Sequence, residues 1–128
     1  MRADRTPRLV SVVAIGGREE TALLALAASL ARGSGHPLGE AILDSARERG
    51  IELEQAGRLQ DIAGNGVAGM VAGHTVILGD AELFADLGLS TGHLGDWAER
   101  LREQGQRVMF LAVDGQAAGL LGVADSAR

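Results

Sequence analysis

The chain has 128 residues, of which 46% are hydrophobic and 23% charged, values typical of one globular domain with its own core. Its net charge of −5 argues against nucleic acid as a partner, because phosphate backbones are bound by clustered cations. The lack of cysteine excludes disulfides, thiol catalysis and the common zinc clusters, and with two Phe, one Trp and no Tyr the expected core is aliphatic.

The first half of the chain contains one predicted strand and two predicted helices. A run rich in β-branched residues over 9–15 predicts a strand. Apolar residues recur at i, i+3, i+4 and i+7 over 18–31, and similar spacing resumes over 38–49, so each segment predicts a helix with one buried face. The two helices form a predicted hairpin, joined by a polar elbow at residues 32–40.

The middle of the chain predicts strands. Residues 51–63 are expected to hold two short strands. Two further strands are expected within 70–78, joined by a turn at Gly73-His74. The Gly73-His74 turn is therefore expected to be flanked by strands on both sides.

The last third predicts two helices and a hairpin. Asp80 is expected to cap a short helix, and Thr91 or Asp96 a longer one that places Trp97 in the core. Asp114-Gly115 predicts a tight two-residue turn between strands 108–113 and 116–123, because this dipeptide tolerates positive φ angles.

These elements predict an α+β fold, in which an antiparallel sheet of about six strands is flanked by two helical hairpins. Residues 1–128 are interpreted as a single domain. Residues 1–8 and 124–128 are interpreted as tails or connections. No apolar run approaches the ~20 residues that a membrane span needs.

The elbow is the first candidate site. Pro37 suits the first turn of a helix and disfavours helical geometry at His36, which places the imidazole at the positive end of the helix. Two interpretations stay open: Ser34 or His36 caps the helix, or the flat, weakly basic ring contacts a ligand. The other histidines, His74 and His93, are expected to be solvated.

The second candidate site is glycine-rich. Residues 64–69 (Gly-Asn-Gly-Val-Ala-Gly) match the pattern G-x-G-x-x-G, but a dinucleotide fingerprint needs a helix after it, and here a strand hairpin is expected. The glycines could serve a bulge or tight turn, or they could let the backbone approach a flat ligand. No Walker lysine motif and no Ser-His-Asp pattern supports other chemistry.

The sequence resembles one family over residues 8–125. Residues 34–42 resemble the Ser-Glu-His-Pro-Leu motif of heavy-metal transporting P-type ATPases, and residues 64–67 resemble the Gly-x-Gly-Val segment of that family. Residues 76–80 are similar to a family strand that ends in Gly-Asn, and residues 106–125 to the last hairpin before the phosphorylation domain. The resemblance implies the nucleotide-binding (N) domain of such a pump, in its copper-like branch.

The resemblance also implies a ligand and a site. ATP is the implied ligand, with Mg as its counter-ion held mainly outside this domain. His36 would face or stack on adenine, and the bare glycine backbone would close around the nucleoside. The implied nucleotide-binding residues are Ser34, His36, Pro37, Gly64, Gly66, Val67, Gly79 and Asp80.

Further expectations follow from the resemblance. The implied partners are ATP or ADP and the phosphorylation and actuator domains of a parent pump, with no nucleic acid and no direct membrane contact. The implied location is a cytoplasmic domain of a membrane-embedded transporter, monomeric in isolation. The Asp-Lys-Thr-Gly-Thr motif is absent from the sequence, so this chain is not expected to hydrolyse ATP efficiently alone.

Three positions depart from the family pattern. Ala31 and Gly35 stand where the family has Glu, and Asp80 stands where it has Asn. The first Glu is expected to accept a hydrogen bond from the adenine amino group, so its absence should weaken selection for adenine. The departures keep an alternative open, a non-catalytic regulatory or interaction domain with weak or lost nucleotide binding.

Overall fold

The computed structural model describes the backbone of residues 5–33, 38–62 and 65–127, and the side chains of 7–33, 38–62 and 65–125. The elements of this described part are β1 (Arg5–Ala14), α1 (Glu20–Arg32), α2 (Gly39–Glu48), β2 (Ala56–Ile62), β3 (Gly66–Val71), β4 (His74–Gly79), α3 (Ala81–Asp86), α4 (Leu94–Glu103), β5 (Arg107–Val113) and β6 (Gln116–Ala127). The strands form one antiparallel sheet in the order β1-β6-β5-β4-β3-β2. The predicted α+β fold with a six-stranded antiparallel sheet is confirmed.

Helices cover both faces of the sheet. In β5, Met109 and Leu111 belong to the core that contains most of the buried residues of α1 and α2. Phe110 and Ala112 belong to a second core, formed with Phe84 of α3 and the buried residues of α4. Because successive residues of a strand point to opposite faces, the two helix pairs lie on opposite sides of the sheet. This explains why β5 is apolar at almost every position.

The outer strand β1 and its partner β6 are longer than the sequence pattern indicates. Arg5 pairs with Ala127, so residues 5–8 and 124–127 extend the sheet. The register shifts between Leu9 and Ser11, which leaves an extra residue in β1 at this point. Within the described residues, no helix has the length and apolar character needed to cross a bilayer.

The prediction of two strands within residues 51–63 is wrong, because the described residues of this segment, 51–62, hold only β2. The residues before β2 are bonded to α1 instead of to a neighbouring strand. The Glu54 N–H donates to Ser29 Oγ at 2.9 Å, and Arg32 Nη2 donates to the Glu54 carbonyl at 2.9 Å. Ser29 is itself buried and donates to the Ala25 carbonyl at 2.7 Å. These bonds attach the segment before β2 to the last turns of α1.

Two hairpin turns each consist of two residues with positive φ angles. The turn between β3 and β4 is Ala72-Gly73, not the predicted Gly73-His74, since His74 already pairs with Val71. Ala72 and Gly73 have φ angles of +53° and +83°, the pair of positive values that a tight two-residue hairpin turn requires. The predicted Asp114-Gly115 turn is confirmed, with φ angles of +53° and +85°.

The helices α3 and α4 begin differently, because α3 has a side-chain cap and α4 has none. The predicted cap at Asp80 is confirmed, because its Oδ1 accepts the Leu83 N–H at 2.9 Å. The prediction for α4 is wrong: His93 occupies the cap position without a side-chain hydrogen bond, and Asp96 lies in the first turn. Thr91 contributes only its carbonyl, which accepts the N–H of the first residue of α4 at 2.9 Å.

Trp97 was predicted in the core, and this is wrong. Its side chain is 44% exposed. The buried stripe of α4 consists of Leu94, Ala98 and Leu101, and Trp97 lies at the edge of that stripe. The Arg100 guanidinium lies 5.8 Å from the centre of the Trp97 ring, a cation–π contact at the surface.

Candidate functional site

The structure brings four of the eight predicted site residues together. Gly66 begins β3 and Gly79 ends β4, and the two are register partners. Val67 follows Gly66, and Asp80 follows Gly79 as the cap of α3. The other four predicted residues lie outside the described residues: Ser34, His36, Pro37 and Gly64. The described part of the site therefore consists of the β3–β4–α3 junction and of the residues that flank the elbow (32–40) and the glycine-rich motif (64–69).

The glycines at this junction allow close packing within the chain itself. A Cβ atom on Gly66 would collide with the Leu78 carbonyl oxygen and lie 2.7 Å from Leu83 Cδ2 and 2.8 Å from Gly79 Cα. A Cβ atom on Gly79 would collide with the same Leu83 methyl group and lie 3.3 Å from the Asn65 carbonyl oxygen. The Leu83 side chain thus packs against both glycines, a contact that the sequence pattern did not suggest.

Val67 contributes to this junction through its position in the sheet. Its side chain is fully buried in the core beneath α1 and α2. Asp61 of β2 pairs with it on one side and Leu78 of β4 on the other. Its buried side chain and its pairing on both sides fix the register of β3, and with it the position of Gly66.

Asp80 and Asn65 link the β2–β3 connection to α3. The Asp80 carboxylate caps α3, and its backbone N–H donates to the Asn65 carbonyl at 3.0 Å. Asn65 Nδ2 donates to Glu82 Oε1 at 3.0 Å, and the Asn65 N–H donates to the Ile62 carbonyl at 2.8 Å. Sequence reasoning missed Asn65 and Glu82, because no periodic signal relates two polar residues 17 positions apart.

The described flanks of the elbow and of the glycine motif meet at Leu59. Gly33, the last described residue before the elbow, has the Leu59 side chain against it. The same side chain lies 3.0 Å from the Cβ position of Gly69, three residues from Gly66 in β3. Three residues of a strand span about 10 Å. The end of α1 therefore lies alongside the β2–β3 hairpin, close to its glycine-rich end.

Ala31, one of the three departures, lies where α1 and α2 approach each other. It is 5% exposed, and its Cβ is 3.3 Å from the Cβ position of Gly39. Small residues at both positions permit this close approach. Ala31 is thus a packing residue beside the elbow, and its methyl group cannot accept a hydrogen bond from a ligand.

The described histidines lie away from this region. His74 and His93 are both exposed. His74 Nδ1 lies 2.7 Å from Asp114 Oδ2, and Asp114 Oδ1 accepts the Thr75 N–H at 3.0 Å. The hydrogen bond with His74, followed by that with Thr75, lowers the pKa of Asp114 below its usual value. This pair joins the β3–β4 and β5–β6 turns, about 17 Å along β4 from Gly79.

Metal binding finds no support in the described part of the chain. Among the described side chains, those of residues 7–33, 38–62 and 65–125, no three from His, Asp or Glu come together as a set of metal ligands. At the β3–β4–α3 junction, Gly66 and Gly79 are buried, and Leu83 and neighbouring backbone fill the space that their side chains would occupy. These two glycines therefore serve close packing within the chain.

Comparison with known proteins gives relatives over most of the chain, although no protein-family model matches it. It is 44% identical over 119 residues to the copper-transporting P-type ATPase of Rhizobium leguminosarum bv. viciae, covering 93% of this chain and 14% of that protein. It is 35% identical over 122 residues to the copper-exporting P-type ATPase of Bacillus subtilis, covering 95% of this chain and 15% of that protein. The chain thus spans about one seventh of the curated relatives it matches.

Solved structures share the fold. The N-domain of HMA6, a copper-transporting P-type ATPase, aligns with a TM-score of 0.73 and 25% identity, over 91% of this chain and 97% of that one. A zinc-transporting PIB-type ATPase in its E2.Pi state aligns with a TM-score of 0.85 and 24% identity, over 95% of this chain and 19% of that one. The first of these alignments covers nearly all of both chains.

Proposed function

Since this chain belongs to the N-domains of heavy-metal transporting P-type ATPases, we propose that it binds ATP between the α1–α2 elbow and the β2–β3 connection. The observation that carries the proposal is the contact of Leu59 with Gly33 on one side and with the Gly69 position on the other. This contact brings the flank of the histidine motif to the flank of the glycine motif.

The proposed roles follow from residue chemistry. His36 faces or stacks on adenine with Ser34 and Pro37 beside it, because a neutral imidazole is a flat partner for a purine. Gly64 and Gly66 supply backbone groups at short range, with Val67 holding Gly66 in the sheet. The implied ligand includes Mg, held mainly by groups outside this domain.

Asp80 and Gly79 complete the proposed pocket indirectly. The Asp80 carboxylate is engaged with the Leu83 N–H, so its contribution is the fixed junction between β4 and α3. Gly79 permits Leu83 to pack beneath that junction. Neither residue offers the side-chain amide donor that an Asn at position 80 would supply, and this favours weak binding.

In the intact protein, we propose that bound ATP is presented to a phosphorylation domain on the cytoplasmic side of a membrane-embedded pump. The actuator domain is the other proposed partner within the polypeptide. The relatives named above transport copper, and copper is accordingly the proposed cargo of the parent pump. Catalysis would need the phosphorylated aspartate of that other domain, so the isolated chain is proposed to bind ATP without turning it over efficiently.

The test is an amide chemical-shift titration of the 128-residue chain with ATP, AMP and GTP. We expect shifts centred on Gly35, His36, Gly64 and Gly66, with GTP close to ATP in affinity because Ala31 offers no acceptor to the adenine amino group. The variant His36→Gln should weaken binding without changing the urea midpoint, whereas the matched control His93→Gln should leave both unchanged.

Two results would oppose the proposal. No shift at millimolar ATP would remove nucleotide binding and leave the alternative, a regulatory or interaction domain with the same fold. Equal ATP affinity for His36→Gln and the parent would remove the histidine from the site while leaving nucleotide binding in place.

A further inference from the structure

The β2–β3 connection is bonded at Asn65 to three neighbours. Its N–H donates to the Ile62 carbonyl at 2.8 Å, and its carbonyl accepts the Asp80 N–H at 3.0 Å. Its side-chain amide donates to Glu82 Oε1 at 3.0 Å. The first two bonds use only backbone atoms of Asn65, but the third depends on the identity of two side chains. The third bond is therefore the one that substitution can remove while the backbone bonds remain.

Glu82 is well placed to restrain Asn65. It lies in the first turn of α3, directly between Ala81 and Leu83. The start of α3 is fixed twice, by the cap between Asp80 and the Leu83 N–H and by the packing of Leu83 against Gly66 and Gly79. Because the helix start is anchored to the sheet, the Glu82 carboxylate is presented to Asn65 from a fixed backbone.

We propose that Glu82 is a positioning residue for the nucleotide site, which acts by holding Asn65 and, through it, the backbone of Gly66. This inference rests on the proposed function. A loop already held in its binding geometry loses less conformational entropy when the ligand binds. Removing the side-chain bond therefore lowers affinity without removing any group that touches the nucleotide.

The first experiment compares variants of Glu82 in the 128-residue chain. Glu82→Ala is expected to weaken ATP binding about threefold, since an exposed hydrogen bond contributes at the lower end of the usual range. Glu82→Gln keeps a side-chain oxygen that can accept from Asn65 Nδ2, and it should bind ATP nearly as the parent does. Glu99→Ala is the matched control, an exposed carboxylate on α4, and it should leave affinity unchanged.

A second experiment reverses the polarity of the bond. Asn65→Asp places two carboxylates against each other and is expected to weaken ATP binding at least as much as Glu82→Ala. The double variant Asn65→Asp with Glu82→Gln restores one donor and one acceptor in the opposite sense, and it should recover most of the lost affinity. This rescue would show that the two side chains act through their mutual bond and not each by itself.

A third measurement needs no ligand. Amide hydrogen exchange at Asn65 and Gly66 should be faster in Glu82→Ala and Asn65→Asp than in the parent, and should return towards the parent rate in the double variant. Exchange in β5 should be the same in all variants, which separates local loosening from global destabilisation.

The outcomes distinguish the two proposals. If the parent chain shows no shift with millimolar ATP, the proposed function fails and this inference fails with it. If the parent binds ATP, and Glu82→Ala and Asn65→Asp bind it as tightly as the parent does, the positioning role is wrong and the proposed function stands. A double variant that binds no better than Asn65→Asp would also overturn the inference, because the pair would then not act through its mutual hydrogen bond.

Discussion

Replacing Gly66 with alanine should destabilise the domain, because the added methyl group would enter space that the chain already fills. The Cβ atom would collide with the Leu78 carbonyl oxygen and lie 2.8 Å from Gly79 Cα, and both are backbone atoms of the neighbouring strand. It would also lie 2.7 Å from Leu83 Cδ2. Overpacking of a well-packed site costs about 1–3 kcal/mol. Since two of the three contacts cannot rotate away, we expect about 2–3 kcal/mol.

Gly57→Ala provides the matched control. Gly57 lies in β2, has no positive φ angle, and has nothing within 4 Å of its Cβ position. Alanine there should be neutral or stabilise by up to about 1 kcal/mol, because it restricts the unfolded chain. Urea unfolding of the two variants and the parent measures the difference directly, through the midpoints and the slopes.

The reasoning fails if Gly66→Ala and Gly57→Ala differ by less than about 0.5 kcal/mol, a fraction of the overpacking cost. Adding Leu83→Ala to Gly66→Ala sharpens the test. Because Leu83→Ala alone deletes a buried side chain and destabilises the domain, that single variant is the reference. The double variant removes the methyl contact but keeps the collision with the strand backbone, so it should be less stable than Leu83→Ala. Equal stability of these two variants would mean that the strand backbone moves more easily than its paired register indicates.

Three further predictions concern other parts of the molecule. Ser29→Ala should cost about 1–3 kcal/mol in urea unfolding because it leaves a backbone N–H before β2 without its acceptor, whereas Ser45→Ala on α2 should cost clearly less. Because the folded pKa of Asp114 lies below its unfolded value, its bond to His74 contributes stability above pH ~4 that is lost as pH falls through the folded pKa. Asp114→Asn and the parent should therefore differ at pH 7 and converge at about pH 2; an equal gap at both pH values would contradict this. The fluorescence of Trp97 should be quenched by acrylamide in the folded state, and resistance to quenching would contradict its exposure.

The β5–β6 hairpin and the cap of α3 could be predicted because their signals are local. The Asp114-Gly115 turn needs two positive φ angles within two residues, and the Asp80 cap needs an acceptor three residues before its donor. Each signal is complete within a few positions, so it survives without tertiary information. The resemblance to N-domains could be recognised from the sequence for the same reason, because its motifs are short and occur in the same order along the chain.

Local signals were misleading where another element supplied the partner. Residues 51–63 were expected to hold two strands, but Ser29 and Arg32 of α1 hold Glu54, and no strand pairing forms over residues 51–55. Trp97 had the spacing of a core residue, but the helix α4 buries Leu94, Ala98 and Leu101 against the sheet and leaves Trp97 partly exposed. Hydrophobic periodicity indicates which face of a helix is buried. Which of the neighbouring residues on that face are buried most deeply depends on the shape of the layer that the helix packs against.

The sequence by itself determined the α+β class, the hairpins and the family of this chain, because these depend on patterns and motifs within short segments. Only the tertiary structure decided what the glycines at 66 and 79 pack against, and which side chain holds Asn65. Apart from the contact of Gly79 with Leu83, which is four positions away, those contacts join residues that are 12 to 17 positions apart. Their geometry is set when the sheet and α3 assemble, and a single sequence carries no signal for such a pairing.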